Sequence, residues 1–162
     1  MQGNSNHPYH VSVGALVYND KKEILCHYFD QNPKVGYFQE NNLRNFYILM
    51  RETMEPNESL ESTLSRGLLE EFGVMGEIIT YIGSIQSHFT HKAVSVEKTT
   101  LYFLVKLISI DESKREKKEE GTSTLEWQRA DYLIPKMKEQ TVRFSRTDLD
   151  ESAIIERAQK FI

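Results

Sequence analysis

The chain alternates apolar and polar positions in short runs with two different periods. Residues His10 to Tyr18 carry Val11, Val13 and Val17 with small residues interleaved, which predicts a strand. Asn19-Asp20 gives a turn signal, and Glu23 to Phe29 then reads as a second strand, so the two form a hairpin. Phe46 to Met50 is a short apolar run of the length of a buried strand. Asn57 to Phe72 changes to the helical period, with Asn57 or Ser59 as cap, Gly73 as the stop, and Leu60, Leu64 and Leu68 as an inward stripe. Ile78 to Phe89 and Val94 to Ile110 are rich in β-branched and aromatic residues and read as long strands joined near His91-Lys92. Leu125 to Gln128 reads as another short strand. Asp131 to Lys138 is expected as a helix interrupted or started at Pro135. Asp148 to Phe161 reads as a final amphipathic helix with Leu149, Ile154, Ile155, Ala158 and Phe161 inward. Strands mixed with a few helices predict an α/β fold, a sheet packed between helices.

At 162 residues the chain has the length of one domain, and it can hold a core without metals or disulfides. Residues 1–8 are expected as a flexible N-terminus and 139–162 as a C-terminal helical extension of that domain. Lys and Arg total 20 against 24 Asp and Glu, a net charge of −4, which argues against a protein that grips nucleic acid with its whole surface. Cys26 is the only cysteine, so no intrachain disulfide can form. The polar N-terminus lacks an apolar signal core. The longest apolar stretch, Tyr102 to Ile110, is broken by Lys106 and is far shorter than the ~20 residues of a membrane helix. These features lead to an expectation of a cytoplasmic protein with no membrane contact. The mixed charges from Glu112 to Glu120 read as a solvated loop between strands.

The expected helix from 57 to 72 breaks two local rules within five residues. Glu70 and Glu71 sit at its C-terminal end, where the helix dipole disfavours carboxylates by a few tenths to ~1 kcal/mol. Gly67 sits in its interior at a cost of ~1 kcal/mol relative to Ala. Such conflicts often mark functional sites, and a carboxylate pair holding a divalent cation would reverse the unfavourable electrostatics. The plain alternative is a solvated pair of glutamates. Arg66 and Glu70, four residues apart, share one helix face. His88 and His91 have no partner at structural-zinc spacing.

The segment Leu49 to Val74 resembles the signature loop–helix–loop of the Nudix hydrolases. Its pattern is Gly, five residues, Glu, seven residues, then Arg-Glu-apolar-x-Glu-Glu-x-Gly-apolar. Glu58, Arg66, Leu68, Glu70, Glu71, Gly73 and Val74 fill their places in register. With average residue usage this many matches in one window are a chance event on the order of one in 10⁵. Glu55-Pro56-Asn57-Glu58 is similar to the Glu-Pro-Gly-Glu turn that often precedes the helix, with Asn tolerating the left-handed conformation. His10 to Val17, Gly83 and Glu126-Trp127 extend the resemblance over roughly residues 9–137.

The resemblance implies an α/β/α sandwich with a mixed β-sheet. It implies a Mg²⁺-dependent (Mn²⁺ as alternative) pyrophosphohydrolase acting on a nucleoside diphosphate linked to another moiety. It places Glu70, Glu71 and Glu58 at the metal, and Arg66 as the residue that ties loop to helix. A homodimer is a further expectation, since Nudix domains often dimerise. Two positions depart from the pattern: Glu52 stands for the first Gly, and Gly67 stands for the Glu after the Arg, a metal ligand in the family. The candidates to replace that carboxylate are Glu120 or Glu119 from a later loop, and Glu97, Glu52 or Glu55. The same departures support another reading, a catalytically degenerate domain that binds a nucleotide-like ligand or a protein partner without hydrolysis. Tyr28, Phe29, Tyr37, Phe38 and Phe89 are the aromatics placed to stack on a base, with core packing as the alternative.

Overall fold

The structure, a computed structural model, describes residues 2–4, 7–30, 43–91, 94–116 and 123–162, with those at 2–4, 7–8 and 89–91 described by their backbone alone. Among these residues eight strands form one mixed sheet. They are β1 (Gln2–Asn4), β2 (His7–Tyr18), β3 (Ile24–Phe29), β4 (Phe46–Ile48), β5 (Met50–Thr53), β6 (Val74–His91), β7 (Val94–Ile110) and β8 (Thr124–Gln128). The central path runs β4-β3-β2-β7-β6, with β1 and β5 also on β2 and β8 on β3. The expected hairpin forms, pairing Val17 with Leu25. Strands β2 and β7 run parallel from Tyr9–Glu97 to Tyr18–Lys106, whereas the other pairs are antiparallel.

The period of two sends successive side chains to opposite faces. On β2, Val13, Ala15 and Val17 face one layer and Leu16 the other. The first layer is closed by helix α1 (Leu60–Gly67) and the π-helical turn Leu68–Phe72 that continues it. There Leu64, Leu68 and Phe72 pack on Met50, Leu25 and Val105. The second layer is closed by helices α2 (Ala130–Phe144) and α3 (Ser152–Ala158). Their Leu133, Met137, Ile154, Ile155 and Ala158 pack on Leu16, Cys26, Tyr102 and Leu104. The expected sheet between helices is the one observed.

Several elements differ from the sequence expectation. The helix of the signature segment Leu49 to Val74 (the box helix, within the box) begins at Leu60, not Asn57. Asn57 takes a positive φ of 69° in the turn before it, and Ser59 caps it by accepting from the Ser62 N–H. Leu60 is not part of the inward stripe: it is 38% exposed and lines an open hollow with Leu64, Ile78 and Phe103. The apolar run at 46–50 splits into β4 and β5, which pair with different strands. Helix α2 runs straight through Pro135 to Phe144, held by its buried face. The final helix is shorter, a 3₁₀ turn at Thr147–Leu149 followed by α3, and Phe161 is exposed. No helix among the described residues is long and apolar enough to cross a membrane.

Candidate active site

The box helix ends against β5 and β3, and this junction brings the sequence-selected residues together. Arg66 points back across the loop. Its Nε donates to Glu58 Oε1 at 2.8 Å and its Nη2 to Glu58 Oε2 at 2.9 Å, a two-pronged pair. Nη2 also donates to the Thr53 carbonyl at 3.0 Å. Nη1 lies 3.1 Å from Glu52 Oε1 and 3.7 Å from Glu70 Oε2. One guanidinium therefore ties the end of β5, the loop and the end of the helix. Glu58 is further engaged by the Glu55 N–H and the Thr63 hydroxyl on Oε2. Both of its oxygens are taken, and these donors, Arg66 first, hold its pKa down to about 2.

Glu71 points the other way, into the protein, where it is 7% exposed. Its Oε2 lies 2.9 Å from His27 Nε2, so one proton bridges the two groups. His27 is fully buried on β3, and its Nδ1 lies 2.7 Å from Ser123 Oγ. Arg115 closes the chain of contacts, donating from Nε to the Glu71 carbonyl and from Nη2 to Ser123 Oγ. Burial, with the neighbouring Glu52 carboxylate, holds the Glu71 carboxyl well above the usual range, against the pull of the Arg51 backbone N–H. Glu70 is half-buried beside Arg66, so the two adjacent glutamates divide into one partly exposed and one buried group. The π-helical turn carries both, and Gly73, at φ 66°, ends it.

The two departures from the box meet in space. A Cβ added to Gly67 would lie 2.6 Å from Glu52 Cβ and 2.9 Å from Met50 Sδ. Strand β5 puts Met50 and Glu52 on the same face, against the helix, by its register with β2 (Ala15 to Met50, Val13 to Glu52).

The remaining candidates fall elsewhere. Glu119 and Glu120 lie outside the described residues. Glu97 is on β7 and contacts Gln86 and His88 of β6, and Glu55 is exposed in the loop. Tyr28 donates to Asn45, and Phe29 is in the core against Phe46. Tyr37 and Phe38 lie outside the described residues, as does the side chain of Phe89. Sequence reading did not single out His27, Ser123 or Arg115. His27 left a faint signal as the lone polar member of an apolar strand. Arg115 belongs to the charged run read as solvated, yet it is half-buried and reaches Ser123 and the Glu71 carbonyl.

The fold is that of one family. The NUDIX domain model matches residues 8–147, and the chain belongs to the Nudix family. Among solved structures it is similar to a NUDIX hydrolase from Nitrosomonas europaea, at 16% identity and a TM-score of 0.58, over 94% of this chain and 87% of that one. It is also similar to the MutT protein from Methanosarcina mazei Go1, at 20% identity and a TM-score of 0.51, over 90% and 99% of the two chains. No curated protein matches. Nudix proteins in general hydrolyse phosphoanhydride bonds.

Proposed function

We propose that this protein is a divalent-metal-dependent pyrophosphohydrolase that cleaves a nucleoside diphosphate linked to another moiety. The observation that carries the reading is the braced end of the box helix, where Arg66 holds Glu58 and faces Glu70 while Glu71 sits behind it. The donors there are all carboxylate oxygens, the chemistry that Mg²⁺ or Mn²⁺ prefers. Among the described residues no three His, Cys, Asp or Glu side chains form a ready cage. An ion here would draw on few carboxylates at once, with water and substrate phosphate filling the other positions.

Glu70 would hold the ion, and Glu71, on the same turn, would join it by releasing His27. The ion when bound would neutralise phosphate charge and lower the pKa of an attacking water. Arg66 spends its donors on protein oxygens, so it acts as a positioning residue that fixes the carboxylates. Glu58, with both oxygens occupied, serves Arg66 in the same way. The buried single thiol Cys26, whose pKa burial raises, suits a reducing compartment such as the cytoplasm.

The test is hydrolysis of a panel of nucleoside-diphosphate derivatives with Mg²⁺ or Mn²⁺, beside Glu70→Gln. Turnover that falls by about 10²-fold or more in the variant supports the reading. Full activity in Glu70→Gln removes it from the metal site. A second reading, binding without hydrolysis, is favoured by Gly67, which leaves the helix one carboxylate short. A folded protein that is inert on every substrate but melts at a higher temperature with a nucleotide would establish it.

A further inference from the structure

We propose that Glu52 supplies the carboxylate that the box helix lacks at position 67, so that the two departures from the family pattern are one reciprocal exchange. The inference rests on the metal-site reading above. Its ground is steric. The space beside Gly67 is filled by the Cβ and Cγ of Glu52, at 2.6 and 3.2 Å from where a Cβ would sit. The Cβ of Glu52 is fixed to a paired strand and cannot swing aside as a side-chain tip could. One volume therefore serves two positions, and only one of them can carry a side chain.

The side chain that fills it is again a glutamate, and it is aimed at the site. Its Oε1 contacts the same Arg66 nitrogen that faces Glu70, and it accepts from the Thr53 N–H at 3.0 Å. Both of these contacts fall on Oε1, so Oε2 can serve an ion. The carboxylate is half-buried, held from two sides and delivered from β5 in place of the helix. An ordinary surface glutamate at this position would have no reason to coincide with a glycine across from it.

The experiment is Mn²⁺ titration by electron paramagnetic resonance on the full chain, with melting curves on every variant. Wild type, Glu52→Gln, Glu52→Gly, Glu70→Gln, Gly67→Glu and the double exchange Glu52→Gly/Gly67→Glu are compared. Glu52→Gln keeps the volume and should weaken Mn²⁺ by about 10-fold or more, as Glu70→Gln does. Gly67→Glu alone should melt at a lower temperature through overpacking. The double exchange should recover both the melting temperature and the Mn²⁺ affinity that the single variants lose. Wild-type affinity in Glu52→Gln beside a weakened Glu70→Gln would overturn the role of Glu52 and leave the metal site standing. A wild-type protein that binds no Mn²⁺ would overturn both.

Discussion

At the scale of single residues, Glu58 shows how a contact becomes a pH dependence. Its folded pKa of about 2 lies below the ordinary 4.5. The contribution of the brace is therefore complete above pH 4.5 and fades as the pH falls toward 2. Wild type should be more stable than Glu58→Gln at pH 7, and urea titrations at decreasing pH should show that gap closing. Gly83, at φ 139°, makes a different demand. A Cβ there would approach Arg157 Nη1 to 2.3 Å in a backbone region that side chains rarely adopt. Gly83→Ala should cost about 1–3 kcal/mol by chemical denaturation. The legible part of the site was local: Arg66, Glu70 and Glu71 were readable because helical spacing alone sets their relation. His27 and Ser123 were not, since they reach Glu71 and each other across 44 and 96 residues of chain, which sheet pairing brings together.

Among the elements, the box helix was legible in its core and its stop at Gly73, while its start was one of two candidate caps, of which Ser59 is the one used. Apolar spacing and Gly73 foretold it, and the structure keeps Leu64 and Leu68 inward. Its first turn was set by a cap. The Ser59 and Ser62 side chains bond each other's backbone N–H groups, which favours a start at Leu60. Ser59→Ala should lower stability by about 0.5–2 kcal/mol in thermal melts, with little change in the sheet signal by circular dichroism. Helix α2 shows the reverse error. Pro135 is a local breaker, yet burial of Leu133, Met137 and Gln140 outweighs the lost hydrogen bond. Gln140 adds a tertiary tie, accepting from the Tyr47 N–H and donating to the Tyr47 carbonyl. The expected helix from Asp148 is interrupted before Ser152, where Glu151 turns inward to accept from the Leu49 N–H at 2.7 Å.

For the whole molecule, the α/β layering followed from the two periods, but the parallel partnership of β2 and β7 did not. Nothing in either strand names its neighbour. The buried charges tie the C-terminal segment to the site strand. Arg51 lies 3.5 Å from Glu151 and donates to the Asp148 carbonyl, and Tyr102 donates to Glu151 from the sheet between them. Breaking that pair by Glu151→Ala should cost about 3–5 kcal/mol in urea denaturation, because Arg51 would stay buried without its carboxylate. The outcome would show that the last residues hold β5, and with it Glu52, in place.

The shared volume at positions 52 and 67 also constrains ancestry. A lineage moving between the usual pattern and this one must change two codons, and the two orders are not equivalent. Acquiring the strand glutamate first places two side chains in one space. Losing the helix glutamate first leaves a void that the fold can tolerate. Relatives with glycine at both places should therefore occur, relatives with glutamate at both should be rare, and a library randomised at the two codons and selected for folding would reveal the same asymmetry.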